Sequence, residues 1–473
     1  MNELLTLRDG AETAAPCPMW QRLRTGLELA VLGAALVGAY MLVARVWRLT
    51  ESDVAEYFAY AHSFWLGSPP FHALPKEYPP LAILPFTLTL LPALQDHTTV
   101  FAVWMGALVL LGFVGFLRFA SHRSALAYAV YLVLGATATL LARFDLVPAL
   151  VTVGALWAAQ RRRFGLAYLL LAAGILFKLY PAFLVPIVAI AQWQAEAKGS
   201  VALAGASPGE VVRRIARYPA TAQVARGVAR CMAPVAVLYA GAFLLGPDAA
   251  LSTFRYASAR PIQVESVPAT LLWLGTFFGF HAQPNVSFSS HNFVGPLDTV
   301  LKPLSALALL AGCLWVYWRQ THGKLTLDRA FLACLCVIVA TNKLLSPQYF
   351  IWLLPIAAAV DGFDILWLAL CVLSTYEFPI GYHDLLAPSL TLYAHSDYSW
   401  NYLAVVAARN GLLVFLTLRS ILRRPRSTVE QGTGAGDGTQ RQGTMRERGI
   451  VDLIRPASFL RVHGRVRVRA ITG

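Results

Sequence analysis

Charge is scarce in this chain. Only 14% of its 473 residues are Asp, Glu, Lys or Arg, against roughly 25% in an ordinary soluble domain. With 57% hydrophobic residues and a mean hydropathy of +0.57, it has too little polar surface to face water on all sides. Gly-rich phosphate loops of the Walker or Rossmann type are also missing, which removes the usual nucleotide-binding devices. The six cysteines, Cys17, Cys231, Cys313, Cys334, Cys336 and Cys371, are scattered and mostly inside apolar runs. None has metal-ligand spacing, so they read as small core residues, and no metal or other cofactor is expected. The N-terminus has no cleavable signal pattern, because its first apolar run is long enough to span and lacks a small-residue cleavage site. The two halves show no convincing internal repeat.

What the chain does have is a series of apolar runs. The fold class they indicate is an all-α polytopic membrane protein. Residues 1–26 are polar, with Arg8, Arg22 and Arg24. The first span follows at about Leu27–Trp47, near the ~20 residues a bilayer needs. Next come Leu81–Leu94, which is short and carries Pro85 and Pro92, and then Val100–Leu117, Ala125–Leu141 and Leu146–Ala159. Gly165–Phe177 and Ala182–Trp193 are short and flank Lys178–Pro181. Further runs are Cys231–Leu245, Val300–Trp318, Leu325–Asn342, Phe350–Val360, Phe363–Phe378 and Tyr402–Leu418, with a weaker one at Val267–Phe280.

The net charge of +14 belongs to this pattern and not to a nucleic-acid partner. Its arginines sit between apolar runs and in the tail, as the positive-inside rule requires. Placing Arg118 with Arg123, Arg161–Arg163, Arg213–Arg230, Arg319 with Lys324, and Arg419–Arg426 all in the cytoplasm leaves one arrangement. Leu81–Leu94 and Val267–Phe280 dip or lie flat on the outer side, Gly165–Trp193 is a hairpin turning at Lys178–Pro181, and about twelve spans cross. Both termini are then inside. Short re-entrant or flat segments at membrane depth need protein or a wet cavity around them, so an outer-face cavity is expected. The spanning domain covers 27–418, with 51–80 as its first outer loop. The segment 419–473 is a basic tail, flexible over its Gly/Thr/Gln-rich part and suited to anionic membrane lipid.

In this arrangement every unusual polar cluster falls on the outer side: Glu51–Pro80, Arg143-Phe144-Asp145, Lys178–Pro181, Arg255–Ser266 and Asn342–Tyr349. Ionisable groups at this depth are costly and are functional candidates, though each alone could merely anchor a helix end. In the first loop Asp53, Glu56, Tyr57 and Tyr60 share a helical face. Such a face can hold a sugar and accept a proton. The alternative is a helix start, with Asp53 as cap and Glu56 as its capping-box partner.

These residues resemble glycosyltransferase family 87, the polyprenyl-phosphate-dependent mannosyltransferases of the GT-C superfold. The likeness rests on Asp53…Gly67…Tyr78-Pro79-Pro80, on Arg143-Phe144-Asp145, on Phe177-Lys178-Leu179-Tyr180-Pro181, and on Lys343-Leu344-Leu345-Ser346-Pro347-Gln348-Tyr349 with Trp352 and Pro355. It covers most of Leu27–Leu418. The resemblance implies a GT-C bundle and an acidic catalytic base in the first outer loop, here Asp53 or Glu51. It implies a polyprenyl-phosphate sugar donor, probable mannose transfer with inversion, and a glycolipid or glycan acceptor at the outer membrane face. The chemistry needs a carboxylate to take the acceptor proton, cations to hold the phosphate, and aromatic or polar groups to orient the sugar. Lys178, Lys343, Arg143, Arg255 and Arg260 compete for the phosphate. Tyr57, Tyr60, Tyr78, Asp145, Tyr180, Gln348 and Tyr349 are candidates for the sugar. A polytopic transporter or lipid flippase is the alternative, since many spans with buried charge suit transport too, but transport usually leaves repeat symmetry.

Overall fold

A computed structural model describes residues 53–71, 73–196, 209–210, 213, 220–245, 247–384 and 398–423. Apart from the tail, these lie in one compact unit, Met1–Pro425. The expected first span, Glu51, residues 214–219 of the Arg213–Arg230 segment and the tail beyond Arg423 lie outside the described residues.

Helix makes up 77% of the described chain. The α-helices run as follows: α1 Val54–Leu66, α2 Ile83–Thr87, α3 His97–Phe119, α4 His122–Gly135, α5 Thr137–Leu140, α6 Leu146–Gln160, α7 Phe164–Phe177 and α8 Val185–Glu196. They continue as α9 Ala220–Leu245, α10 Pro247–Ala259, α11 Val267–Thr276, α12 Asp298–Thr321, α13 Leu327–Thr341, α14 Phe350–Asp361, α15 Ile365–Thr375 and α16 Trp400–Leu422. Four of them, α3, α9, α12 and α16, are long and apolar enough to cross a membrane. Their outward faces carry exposed Val103, Leu110 and Leu111 on α3, Val237 and Leu244 on α9, and Leu307 and Leu310 on α12. A soluble protein hides such side chains, and a bilayer solvates them. This is a mostly helical membrane protein.

Three features depart from the expected pattern. The short segment expected at Leu81–Leu94 ends four residues early: it is a continuous helical stretch over Pro80–Leu90, in three pieces, Pro80–Ala82, Ile83–Thr87 and Leu88–Leu90, and stops ahead of Pro92, which a helix interior does not tolerate. The polar stretch before Arg260 is a helix, α10. The class is also not purely α. β1 (Ile262–Gln263), β3 (Ser290–Val294) and β2 (Gln283–Ser287) form an antiparallel sheet in that spatial order, with Ile262 opposite Phe293 and Val286 opposite His291. Phe288 and Ser289 both have positive φ, 54° and 51°, as a two-residue hairpin loop that follows the strand twist requires.

The helices place charge at two ends. At one end Asp361 accepts from Arg329 (2.5 Å), Arg419 (3.4 Å) and Arg423 (3.4 Å), and Arg319 reaches the Leu422 carbonyl. Arg161 meets the Phe119 carbonyl. The other ends of α7, α13 and α14 converge on the polar clusters described next. Between the two ends, Arg409 of α16 is fully buried. It pairs with Glu377 at 2.8 Å and donates to the Glu265 carbonyl at 2.6 Å, which meets the rule that a charge inside a bundle needs a partner. All five described cysteines are buried.

Close helix approach depends on small residues. A Cβ at Gly227 of α9 would run into the ring of Tyr168 on α7, which is fully buried. Gly227→Ala should therefore lower stability by about 1–3 kcal/mol through overpacking, although Ala alone favours helix by up to ~1 kcal/mol. Thermal unfolding in detergent decides between the two. A raised midpoint would mean that the α7–α9 contact is looser than described.

Candidate functional site

The candidate site begins with a buried carboxylate. Asp145 precedes α6 and is wholly buried. It accepts from the Lys178 ammonium at 2.6 Å and from the Trp352 indole at 2.6 Å. Lys178 lies where α7 ends and the chain turns back, and Trp352 lies in the first turn of α14. One carboxylate thus joins two of the expected polar clusters to the start of α14. The ammonium also lies over the rings of Phe144 (4.9 Å), Trp352 (5.0 Å) and Tyr78 (5.4 Å). Trp352 stacks between Tyr180 (4.5 Å) and Tyr349 (4.1 Å). Burial lowers the Lys178 pKa, and the Asp145 charge opposes that shift.

Arg143, two residues before Asp145, pairs with Asp53. Burial draws its guanidinium down to about 10, with Asp145 opposing. The capping alternative for Asp53 is not realised: its side chain makes no cap hydrogen bond, and its backbone is already helical. The shared face of α1 also divides. Glu56 is exposed, while Tyr57 is fully buried and stacks on Phe86 at 4.3 Å beside Phe101 and Phe144. Tyr60 is half-buried and stacks on Phe86. Tyr57 is thus a core residue under the first loop.

Beside this pair opens a cavity of about 610 Å³. Its wall includes Tyr78, Lys178, Tyr180, Arg260, Lys343, Gln348 and Tyr349, so seven predicted site residues meet there. Asp145 touches it through Lys178. Asp53, Tyr57, Tyr60 and Arg143 stand behind it, and Arg255 is exposed on α10. Two lining residues were not expected from the sequence: Lys302 on α12 and Glu77 just before Tyr78. Lys302 looks in sequence like a span boundary, and Glu77 like one more polar loop residue.

The cations in the wall are not equivalent. Lys178 is committed to Asp145, and Lys302 to Asp298 at 3.0 Å. Lys343 donates to the carbonyls of Arg260 (2.7 Å) and Ser258 (3.0 Å), and Arg260 donates to the Ser290 hydroxyl (2.9 Å). The Lys343 pKa is lowered by burial and then by the like charges of Lys302 and Arg260. Three cations held close against their mutual repulsion, with Asp298 offsetting part of it, would gain from an anion placed between them.

A second cavity of about 330 Å³ lies between α11, α12, α13 and α16. It is lined by apolar side chains such as Leu271, Leu304, Trp315 and Leu418, and it shares Ser305 and Thr341 with the first cavity. Among the described residues no cluster of His, Cys, Asp and Glu could hold a metal.

No family model matches the chain, and no curated protein matches it.

A buried ion pair is strongly destabilising to break on one side. Asp145→Asn should cost about 3–5 kcal/mol, and Lys178→Met in the same chain should recover part of that loss. Unfolding of both single variants and the double variant measures the coupling. Strictly additive losses would show that the two groups do not depend on each other.

Proposed function

We propose that the protein is an inverting glycosyltransferase. It moves a hexose, mannose by its resemblance to glycosyltransferase family 87, from a polyprenyl phosphate to a glycolipid or glycan acceptor. The observation that carries this reading is the shared wall at Ser305 and Thr341, which puts a cationic cavity directly beside an apolar groove. A ligand filling both has an anionic head and a long apolar chain, and a lipid phosphate has that form.

In this reading Arg260, Lys302 and Lys343 hold the donor phosphate and stabilise charge on the leaving oxygen. Lys178, also in the wall, is held by Asp145. Tyr78, Tyr180, Gln348 and Tyr349 line the space for the sugar. A carboxylate of the first loop, Asp53 or Glu51, draws the proton from the acceptor hydroxyl. Attack from the face opposite the phosphate inverts the anomeric centre. Twelve spans cross the membrane, the cavity opens on the extracytoplasmic side, and the basic ends lie in the cytoplasm.

Purified protein in lipid nanodiscs, given polyprenyl-phosphate mannose and a glycolipid acceptor, should form a mannosylated product. Lys343→Ala and Arg260→Ala should each cut turnover roughly 100-fold. Full activity of both would remove the phosphate site, and movement of intact lipid across the bilayer without product would favour a flippase.

Donor affinity should also depend on pH. A phosphodiester carries its charge throughout the working range, so Lys343 supplies the change. Its pKa is lowered in the free protein, and a bound phosphate favours the ammonium form. Affinity is then complete below the free pKa and falls as pH rises through it, by up to tenfold per pH unit. Lys343→Arg should abolish the fall, because a guanidinium stays charged. An unchanged pH profile in that variant would assign the titration elsewhere.

A further inference from the structure

Glu77 is the one acidic residue in the cavity wall among the described residues. Its position is fixed by its neighbours. Tyr78 packs edge-on against Phe86 and Phe144, its carbonyl accepts from the Thr253 hydroxyl at 3.0 Å, and Pro79 and Pro80 stiffen the chain that follows. Glu77 is half-buried, and none of the cavity's cations forms an ion pair with it: Lys178 and Lys302 have Asp145 and Asp298, Lys343 bonds two carbonyls, and Arg260 bonds Ser290. The hydrogen-bond partner of Glu77 in the wall is Tyr256, whose hydroxyl bonds the Glu77 carboxylate, which leaves the second carboxylate oxygen free to accept.

A carboxylate only accepts hydrogen bonds, so this wall repels phosphate. It suits a group that offers donors instead. Adjacent hydroxyls of a sugar fit a carboxylate's two oxygens, and charged acceptors make the stronger bonds. Tyr78 and Tyr256 add aromatic surface in the same wall. The cavity therefore offers two kinds of group, cations at Arg260, Lys302 and Lys343 and a hydroxyl acceptor at Glu77. We propose that Glu77 binds hydroxyl groups of the sugar on the donor phosphate and so determines which sugar the site accepts. This rests on the lipid-phosphate reading above.

The test is equilibrium binding in nanodiscs with two probes, polyprenyl-phosphate mannose and bare polyprenyl phosphate. Glu77→Gln should weaken the sugar-bearing probe about 10–100-fold, as expected for a lost bond to a charged group. The bare phosphate should bind as tightly as before or more tightly. A set of mono-deoxy donors sharpens the result: one deoxy position should be penalised in the natural protein and tolerated in Glu77→Gln. Should that variant fail to fold, Glu77→Asp, which withdraws the charge by one methylene, should show the same selective loss. Equal losses for both probes, or none, would overturn the proposal. So would lost turnover with unchanged binding, which would make Glu77 the proton acceptor. Failure of the natural protein to bind either probe would defeat the lipid-phosphate reading itself, and Glu77's role with it.

Discussion

The ion pair between Lys178 and Asp145 is the constraint on which the rest of the site depends. A carboxylate with no exposed surface needs a partner in a membrane protein, because a buried charge left unpaired costs about 3–5 kcal/mol, a large share of a fold's stability of about 5–15 kcal/mol. Asp145 is satisfied by an ammonium from the end of α7 and an indole from the start of α14. Those two bonds hold three chain segments, far apart in sequence, in one geometry. Around them Tyr78, Phe144, Tyr180, Tyr349 and Trp352 pack as an aromatic enclosure. The same pair holds Lys178 deep in the wall, with Asp145 fully buried beneath it, while three further cations line the same cavity.

Those cations are Arg260, Lys302 and Lys343. The elements that bring them together differ in kind: a loop leading into the small sheet, the first turn of α12, and the break between α13 and α14. Lys343 is tied to the sheet side through the carbonyls of Ser258 and Arg260 and through the bond from the Gln263 amide to its own carbonyl. Holding like charges together costs free energy, which a bound phosphate returns. The groove between α11, α12, α13 and α16 begins at the same wall, so an anion seated there is adjacent to a path for an apolar chain.

Much of this was legible in the sequence, for a physical reason. Polar residues in breaks between apolar runs are expensive in a membrane unless they meet. Four of the five outer clusters line one cavity, and the fifth, Arg143-Phe144-Asp145, meets it through Asp145. Arg319 and Arg419, both read as basic ends of apolar runs, also meet, through the Leu422 carbonyl and Asp361, at one end of the described helices. Other features were not legible. Periodicity puts Asp53 and Tyr57 on one face of α1 but does not say what the face meets; Tyr57 meets Phe86 and lies in the core, while Asp53 meets Arg143 instead of capping its helix. Lys302 sits at the start of an apolar run, where a snorkelling lysine would sit too. The sheet was missed because its strands are two to five residues long and carry no clear alternation.

The account's central claim is that one lipid phosphate occupies the cationic cavity and the apolar groove together. Cryo-electron microscopy of the protein in nanodiscs with a non-hydrolysable polyprenyl-phosphate mannose analogue tests it directly. The account predicts phosphate density within bonding reach of Arg260, Lys302 and Lys343, the sugar toward Glu77, and the chain running past Leu304 and Trp315. An analogue bound elsewhere, with the cavity holding only water, would contradict it.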